Sequence, residues 1–169
     1  MESIKFYEHS EKLYKALDSN GAFLVVKDHQ GRSNMMTIGW ATIGIVWTRP
    51  VMTVFVRPVR HTYELIENAS SFSVCIPEGN KFDKVLIECG TKSGRNIDKA
   101  DAFGLTVIDG KLSGTSIIKG CKLIYECKIV EKNKIDGQTL SQQIVNDLYT
   151  KKDFHSVYYG EIKHCYING

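Results

Sequence analysis

The chain has 169 residues, 43% of them hydrophobic and 24% charged, with a formal net charge of +3. This suits one domain over 1–169 with its own core and excludes disordered or fibrous classes. The mild charge gives no reason to expect a nucleic-acid partner, and no run approaches membrane-spanning length.

In chain order, the opening MESIKFYEHSEKLYKAL has no apolar leader segment, and a short amphipathic helix is expected over residues 10–17. The turn DSNG leads to an apolar strand, AFLVV, and DHQGRSN forms a loop or hairpin tip. NMMTIGWATIG, residues 34–44, is apolar enough for a strand, but Asn34, Thr37 and Thr42 interrupt it, and Gly39, Ala41 and Gly44 are small. A purely structural strand favours bulky branched side chains. The pattern is that of a backbone with something flat lying against it.

After TRP, the run VMTVFVR reads as a strand stopped by Pro58, and residues 61–68 turn helical. SSFSVCIP returns to strand. NKFDKVLIECG carries Phe82, Val85, Leu86 and Cys89 at helical spacing, with Asn80 as the expected N-cap and Gly90 as the stop. GLTVID follows. In CKLIYECKIVEK, Cys121, Leu123, Tyr125, Cys127 and Ile129 alternate as on a strand with one buried face. SQQIVNDLY reads as a short helix and SVYYGEIKHCYI as the last strand. Many strands with few helices make the chain mainly β with short helices, an antiparallel barrel with helical excursions.

Two loops bring together anion-binding residue types. In RPVRHTYE, Arg57 and Arg60 flank a proline where a strand gives way to a helix, and helix N-terminal amides together with a guanidinium suit a phosphate. Thr62 either caps that helix or bonds a ligand. In CGTKSGRN, glycines bracket Thr91, Lys92 and Ser93, and Arg95 follows; this is no Walker A loop. Together they suit a flat ligand with a phosphate tail. The histidines and cysteines show no metal-ligand spacing, so no metal is expected. Five cysteines, an odd number with no C-x-x-C pair, fit a reduced cytoplasmic protein with buried thiols. Trp40, Trp47 and Phe55 sit in apolar surroundings and read as core or interface rather than as a nucleic-acid stacking face.

The block NMMTIGWATIGIVWTRPVMTVFVRPVRHTYELIENASSFSVCIP, with CGTKSGRNIDKADAFGLT and FHSVYYGEI after it, resembles the flavin reductase-like, FMN-binding split-barrel family, most strongly its flavoredoxin-type branch. The likeness spans Gly21 to Ile167. It implies a split β-barrel of antiparallel Greek-key type, a homodimer, and one non-covalent FMN per subunit near the dimer interface. It further implies a hydride taken from NADH or NADPH, or electrons from a protein donor, and delivery to free flavin or a protein acceptor.

Carried over by position, Asn34, Met36, Thr37 and the run Trp40, Ala41, Thr42 and Ile43 would border the ring and ribityl chain. Arg57, Arg60, Thr62 and Tyr63 would surround the phosphate or brace its loop, with Lys92, Ser93 and Arg95 at the same end. His155 would line the nicotinamide side as the catalytic residue. Two departures stand out: Asn96 occupies a position where the family commonly has Asp, and KKDFHSVYYGEI replaces the frequent G-D-H form. An electron carrier without NAD(P)H activity, or a pyridoxamine-phosphate-oxidase-like barrel, are the alternatives.

Overall fold

The computed structural model describes residues 1–168; Gly169 lies outside them. Its strands are β1 (Glu2–Ser3), β2 (Ala22–Lys27), β3 (Ser33–Ile38), β4 (Ala41–Val46), β5 (Arg49–Val56), β6 (Ser71–Ile76), β7 (Val107–Asp109), β8 (Ser116–Ile118), β9 (Leu123–Lys134) and β10 (Ser156–Ile167). The helices are α1 (Ser10–Leu17), α2 (His61–Asn68), α3 (Asp83–Thr91), α4 (Lys99–Ala102) and α5 (Gln142–Leu148). The main sheet runs β3-β2-β6-β9-β10-β5-β4, with β1 added to the far end of β10, and β7 and β8 form a separate hairpin. Every pairing is antiparallel.

The sheet does not close. Its two edges, β3 and β4, are consecutive in sequence and joined by Gly39 and Trp40 alone. Two residues reach only about 7 Å, so the edges end side by side without pairing. That break is the split of the barrel.

Alternation along β2 shows how the sheet is buried on both faces. Ala22, Leu24 and Val26 enter the inner core with Phe72, Val74, Leu123, Tyr125 and Tyr158. Phe23 and Val25 enter a second core beneath α3 and the β7–β8 hairpin, with Phe82, Leu86 and Ile117. Gly160 is required where β10 crosses the inner core: a Cβ there would stand 2.6 Å from both the Phe72 ring and Cys127.

Three local expectations are corrected. The N-cap of α3 is Phe82, while the Asn80 carbonyl accepts from the Asp83 amide in a preceding turn, and the helix continues through Gly90 to Thr91. β9 begins at Leu123, after Cys121, and its first half is buried on both faces, since Ile124 joins the outer core and Glu126 is fully buried. Trp47 is 55% exposed, at a positive-φ position in the β4–β5 turn, and Trp40 is 39% exposed, so neither is a core residue.

Candidate functional site

The break between β3 and β4 opens onto a cleft of about 170 Å³. The end of β3 lines it with Met36, Thr37 and Ile38, the link with Gly39 and Trp40, β5 with Phe55, and the segments beyond with Arg57, Arg60 and His155. The His155 ring lies 4.7 Å from that of Trp40, centroid to centroid. Thr37 spends its hydroxyl on the Leu86 carbonyl at 2.5 Å, tying β3 to α3.

His155 is 9% exposed, and its Nδ1 lies 2.8 Å from the Tyr149 phenol oxygen. Burial, reinforced by the Arg57 charge, lowers its pKa to about 4, with Asp153 opposing and Arg60 assisting. The imidazole is therefore neutral near pH 7. Burial raises the Tyr149 phenol, which keeps its proton. Arg57 holds the segment that delivers both residues: it donates to Asp153 at 2.6 Å and to the Leu148 carbonyl at 2.8 Å, and its guanidinium lies 5.1 Å from the centre of the Tyr149 ring.

A second cavity, of about 100 Å³, adjoins the first through Met36 and Arg60 and lies at the N-terminus of α2 beside the loop 91–95. The first-turn amides of His61 and Thr62 have no intrahelical acceptor by position, whereas those of Arg60 and Tyr63 bond to Arg57 and Arg60 carbonyls. Thr62 is buried and accepts from Asn34 Nδ2 at 2.8 Å, which links β3 to α2. Of the nearby cations, Lys92 pairs with Glu88 and Arg95 with Glu64. Arg60 bonds instead to the Gly90 carbonyl, and Lys99 to the Met35 and Cys89 carbonyls at 2.9 and 2.8 Å. Neither has a carboxylate partner among the described residues. Ser93 accepts from the Arg95 amide and lines the same cavity.

The structure thus brings Met36, Thr37, Trp40, Arg57 and His155 to one cleft, and Arg60, Thr62, Lys92, Ser93 and Arg95 to its neighbour. Asn34 sits behind Thr62. Ala41, Ile43 and Tyr63 pack on the inner core, and Thr42 is exposed on the opposite face of β4. Sequence reasoning missed Lys99, Tyr149 and Phe55. Lys99 is only 5% exposed; its signal was Asp98, which caps α4 by accepting from the Ala100 and Asp101 amides and turns the next residue inward.

The profile of the flavin reductase like domain matches residues 14–169. The chain belongs to the flavin reductase-like family. Among solved members of this fold, the flavoredoxin of Methanosarcina acetivorans is 26% identical, with a TM-score of 0.69 over 88% of this chain and 68% of that one. An FMN-binding protein of Thermus thermophilus, solved with p-hydroxybenzaldehyde, is 25% identical, with a TM-score of 0.66 over 87% and 70%. An uncharacterized protein of Archaeoglobus fulgidus is 27% identical over 109 residues, 64% of this chain and 60% of that protein. The flavin reductase-like chain thus spans under two thirds of this relative. The split barrel expected from the sequence is the fold of these flavin reductase-like structures. No helix of the described residues is long and apolar enough to cross a membrane.

Proposed function

We propose that this flavin reductase-like domain binds FMN non-covalently, ring in the Trp40–His155 cleft and phosphate at the N-terminus of α2, and takes a hydride from NADH or NADPH. The observation that carries this reading is the charge arrangement: Arg60 and Lys99 bond to carbonyls and lack carboxylate partners, beside unpartnered helix amides and one cavity away from a cleft lined with flat side chains. A dianionic phosphate supplies the missing negative charge. When bound, the flavin supplies the hydride-accepting and electron-passing chemistry.

The chain's own residues orient and insulate. The Tyr149 phenol and His155 Nδ1 share a hydrogen bond that fixes the imidazole ring where it lines the cleft; in the tautomer with the phenol as donor, Nε2 carries the proton and serves as a donor there. Arg57 acts here as a brace for this segment, its charge already shared with Asp153. Asn34, Thr37 and Thr62 fix β3 against α2 and α3, so the backbone from Met36 to Gly39 faces the ring edge without rearranging. Asn34, Ala41, Thr42, Ile43 and Tyr63 belong to the surrounding scaffold in this reading.

A homodimer is part of the proposal, supported by the exposed Ile45 and Val46 on the edge strand β4 and the exposed Trp47 in the turn after it. A reduced cytoplasmic setting is supported by five free, buried cysteines. A second reading, an FMN electron carrier fed by a protein donor, is favoured by the likeness to a flavoredoxin. An anaerobic absorbance spectrum of the FMN-loaded protein decides between them. Bleaching of the flavin band on adding NADH or NADPH is the expected result. A bound flavin that stays yellow with both nucleotides but bleaches with dithionite establishes the carrier, and failure to bind FMN removes both readings.

A further inference from the structure

The wall of the Trp40–His155 cleft is tied down at every side chain but one. The β3 stretch stands in the ladder to β2, and Phe55 lies on β5, which is paired along both edges. Arg57 bonds to Asp153, Arg60 to the Gly90 carbonyl and His155 to Tyr149. Trp40 has no such tie. With Gly39 it stands outside both edge strands, and neither residue donates or accepts a backbone hydrogen bond in the turns and loops of the described residues.

What holds the indole is ring contact. It is tilted by 42° against the His155 ring and meets Phe55 edge-on, with centroids 6.4 Å apart. Its other side is open, at 39% exposure. Neither space nor backbone conformation demands a glycine beside it: a Cβ on Gly39 would meet nothing within 4 Å, and its φ lies outside the left-handed region. What glycine supplies there is a freer backbone next to the indole, with no side chain in its path.

The cleft needs such freedom. At about 170 Å³ it is smaller than the roughly 300–1,000 Å³ usual for small-molecule sites. Hydride transfer to a flavin brings a second planar ring to within about 3–3.5 Å of the first. A space of this size does not hold both rings, so part of the wall must yield, and Trp40 is the side chain free to do so.

We propose that Trp40 is the gate and size selector of this cleft: the indole swings outward about its own side-chain torsions, and one planar ring of the second substrate takes its place between His155 and Phe55. The proposal rests on the flavin reading for what fills the rest of the cleft. The vacated space is that of a two-ring indole flanked by two fixed rings. It suits a one-ring partner such as a nicotinamide and disfavours a three-ring partner such as a free flavin.

Phenols test this without any turnover, because a phenol stacked on oxidised flavin gives a long-wavelength charge-transfer band. The FMN-saturated full chain is titrated with 4-chlorophenol, one ring, and with 9-phenanthrol, three fused rings, as wild type, Trp40→Phe and Trp40→Ala. Trp40→Ala is expected to tighten 9-phenanthrol by about tenfold or more and to change 4-chlorophenol by less than about threefold, with Trp40→Phe between. Equal changes for the two phenols, or none, overturn the selector. Weaker 4-chlorophenol binding in both variants, or loss of FMN from both, makes Trp40 a fixed wall and overturns the gate. Absence of the band with either phenol in all three proteins shows that no second ring stacks there, with the same consequence. Failure of the wild type to bind FMN is a different result, and it removes the flavin reading itself.

Discussion

Acidification from about pH 8 to about pH 5 tests the burial of His155. In the unfolded chain this imidazole takes up a proton near its ordinary value of 6.5, whereas in the folded protein it resists until about pH 4, because burial and the Arg57 charge oppose the imidazolium. The folded-state value is depressed, so the associated stability is fully present above 6.5 and is lost as pH falls toward 4. Each pH unit between those values costs about 1.4 kcal/mol, and the span from pH 8 to pH 5 therefore removes about 2 kcal/mol. The charged groups acting on the ring are Arg57, Asp153 and Arg60, and none of them needs to change charge above pH 5. Urea unfolding of the wild type and of His155→Gln at both pH values isolates this contribution, since all other titrations are common to the two proteins. The wild type should lose about 2 kcal/mol more than the variant. Equal acid sensitivity would refute the argument that His155 is held neutral by its surroundings.

Two further outcomes follow from particular contacts. Arg60→Ala combined with Lys92→Ala should weaken FMN binding by about tenfold or more and riboflavin binding far less, because a charge-assisted bond to phosphate is worth about 1.5–3 kcal/mol; fluorescence titration with the two ligands reads the difference, and equal losses would remove the phosphate assignment. Glu126→Gln should destabilise the fold by about 3 kcal/mol in denaturant unfolding at neutral pH. The carboxylate accepts from the Lys111 and Leu112 amides, Thr115 and Tyr166, and the amide would turn an NH2 toward one of these donors. A cost below about 1 kcal/mol would show that the 110–115 loop can repack around the change.

Much of the barrel was legible because its strands carry period-2 alternation and its loops carry Gly, Pro and Asx turns at their ends. What alternation cannot show is a strand buried twice over. Glu126 falls on the polar side of CKLIYECKIVEK and reads as solvent-facing, but the 110–115 loop folds back over it and supplies the amides of Lys111 and Leu112 and the Thr115 hydroxyl as partners. Lys99 was hidden for the same reason: a lysine in a four-residue helix has no sequence mark of burial, and its partners are backbone carbonyls of β3 and α3. The anion-binding residue types were visible in RPVRHTYE and CGTKSGRN. Which of them stay without a carboxylate was not, because Glu64 and Glu88 neutralise Arg95 and Lys92 through helix geometry and loop packing. Tyr149 escaped notice because its phenol meets His155 only when Arg57 draws the intervening segment back against β5.

The two-residue link between the edge strands has a kinetic consequence. Gly39 and Trp40 connect strands that lie six pairings apart around the sheet, from β3 through β2, β6, β9, β10 and β5 to β4. The cleft at that link acquires its shape once every ladder in the series is in register, the β10 pairings to β5 and β9 included. The β10–β5 ladder joins Ser156 to Val56 and Glu161 to Val51, about a hundred positions apart, and such non-local contacts form late. Quenching of flavin emission on refolding would accordingly lag behind backbone signals, so that cofactor capture acts as the clasp on an already assembled barrel.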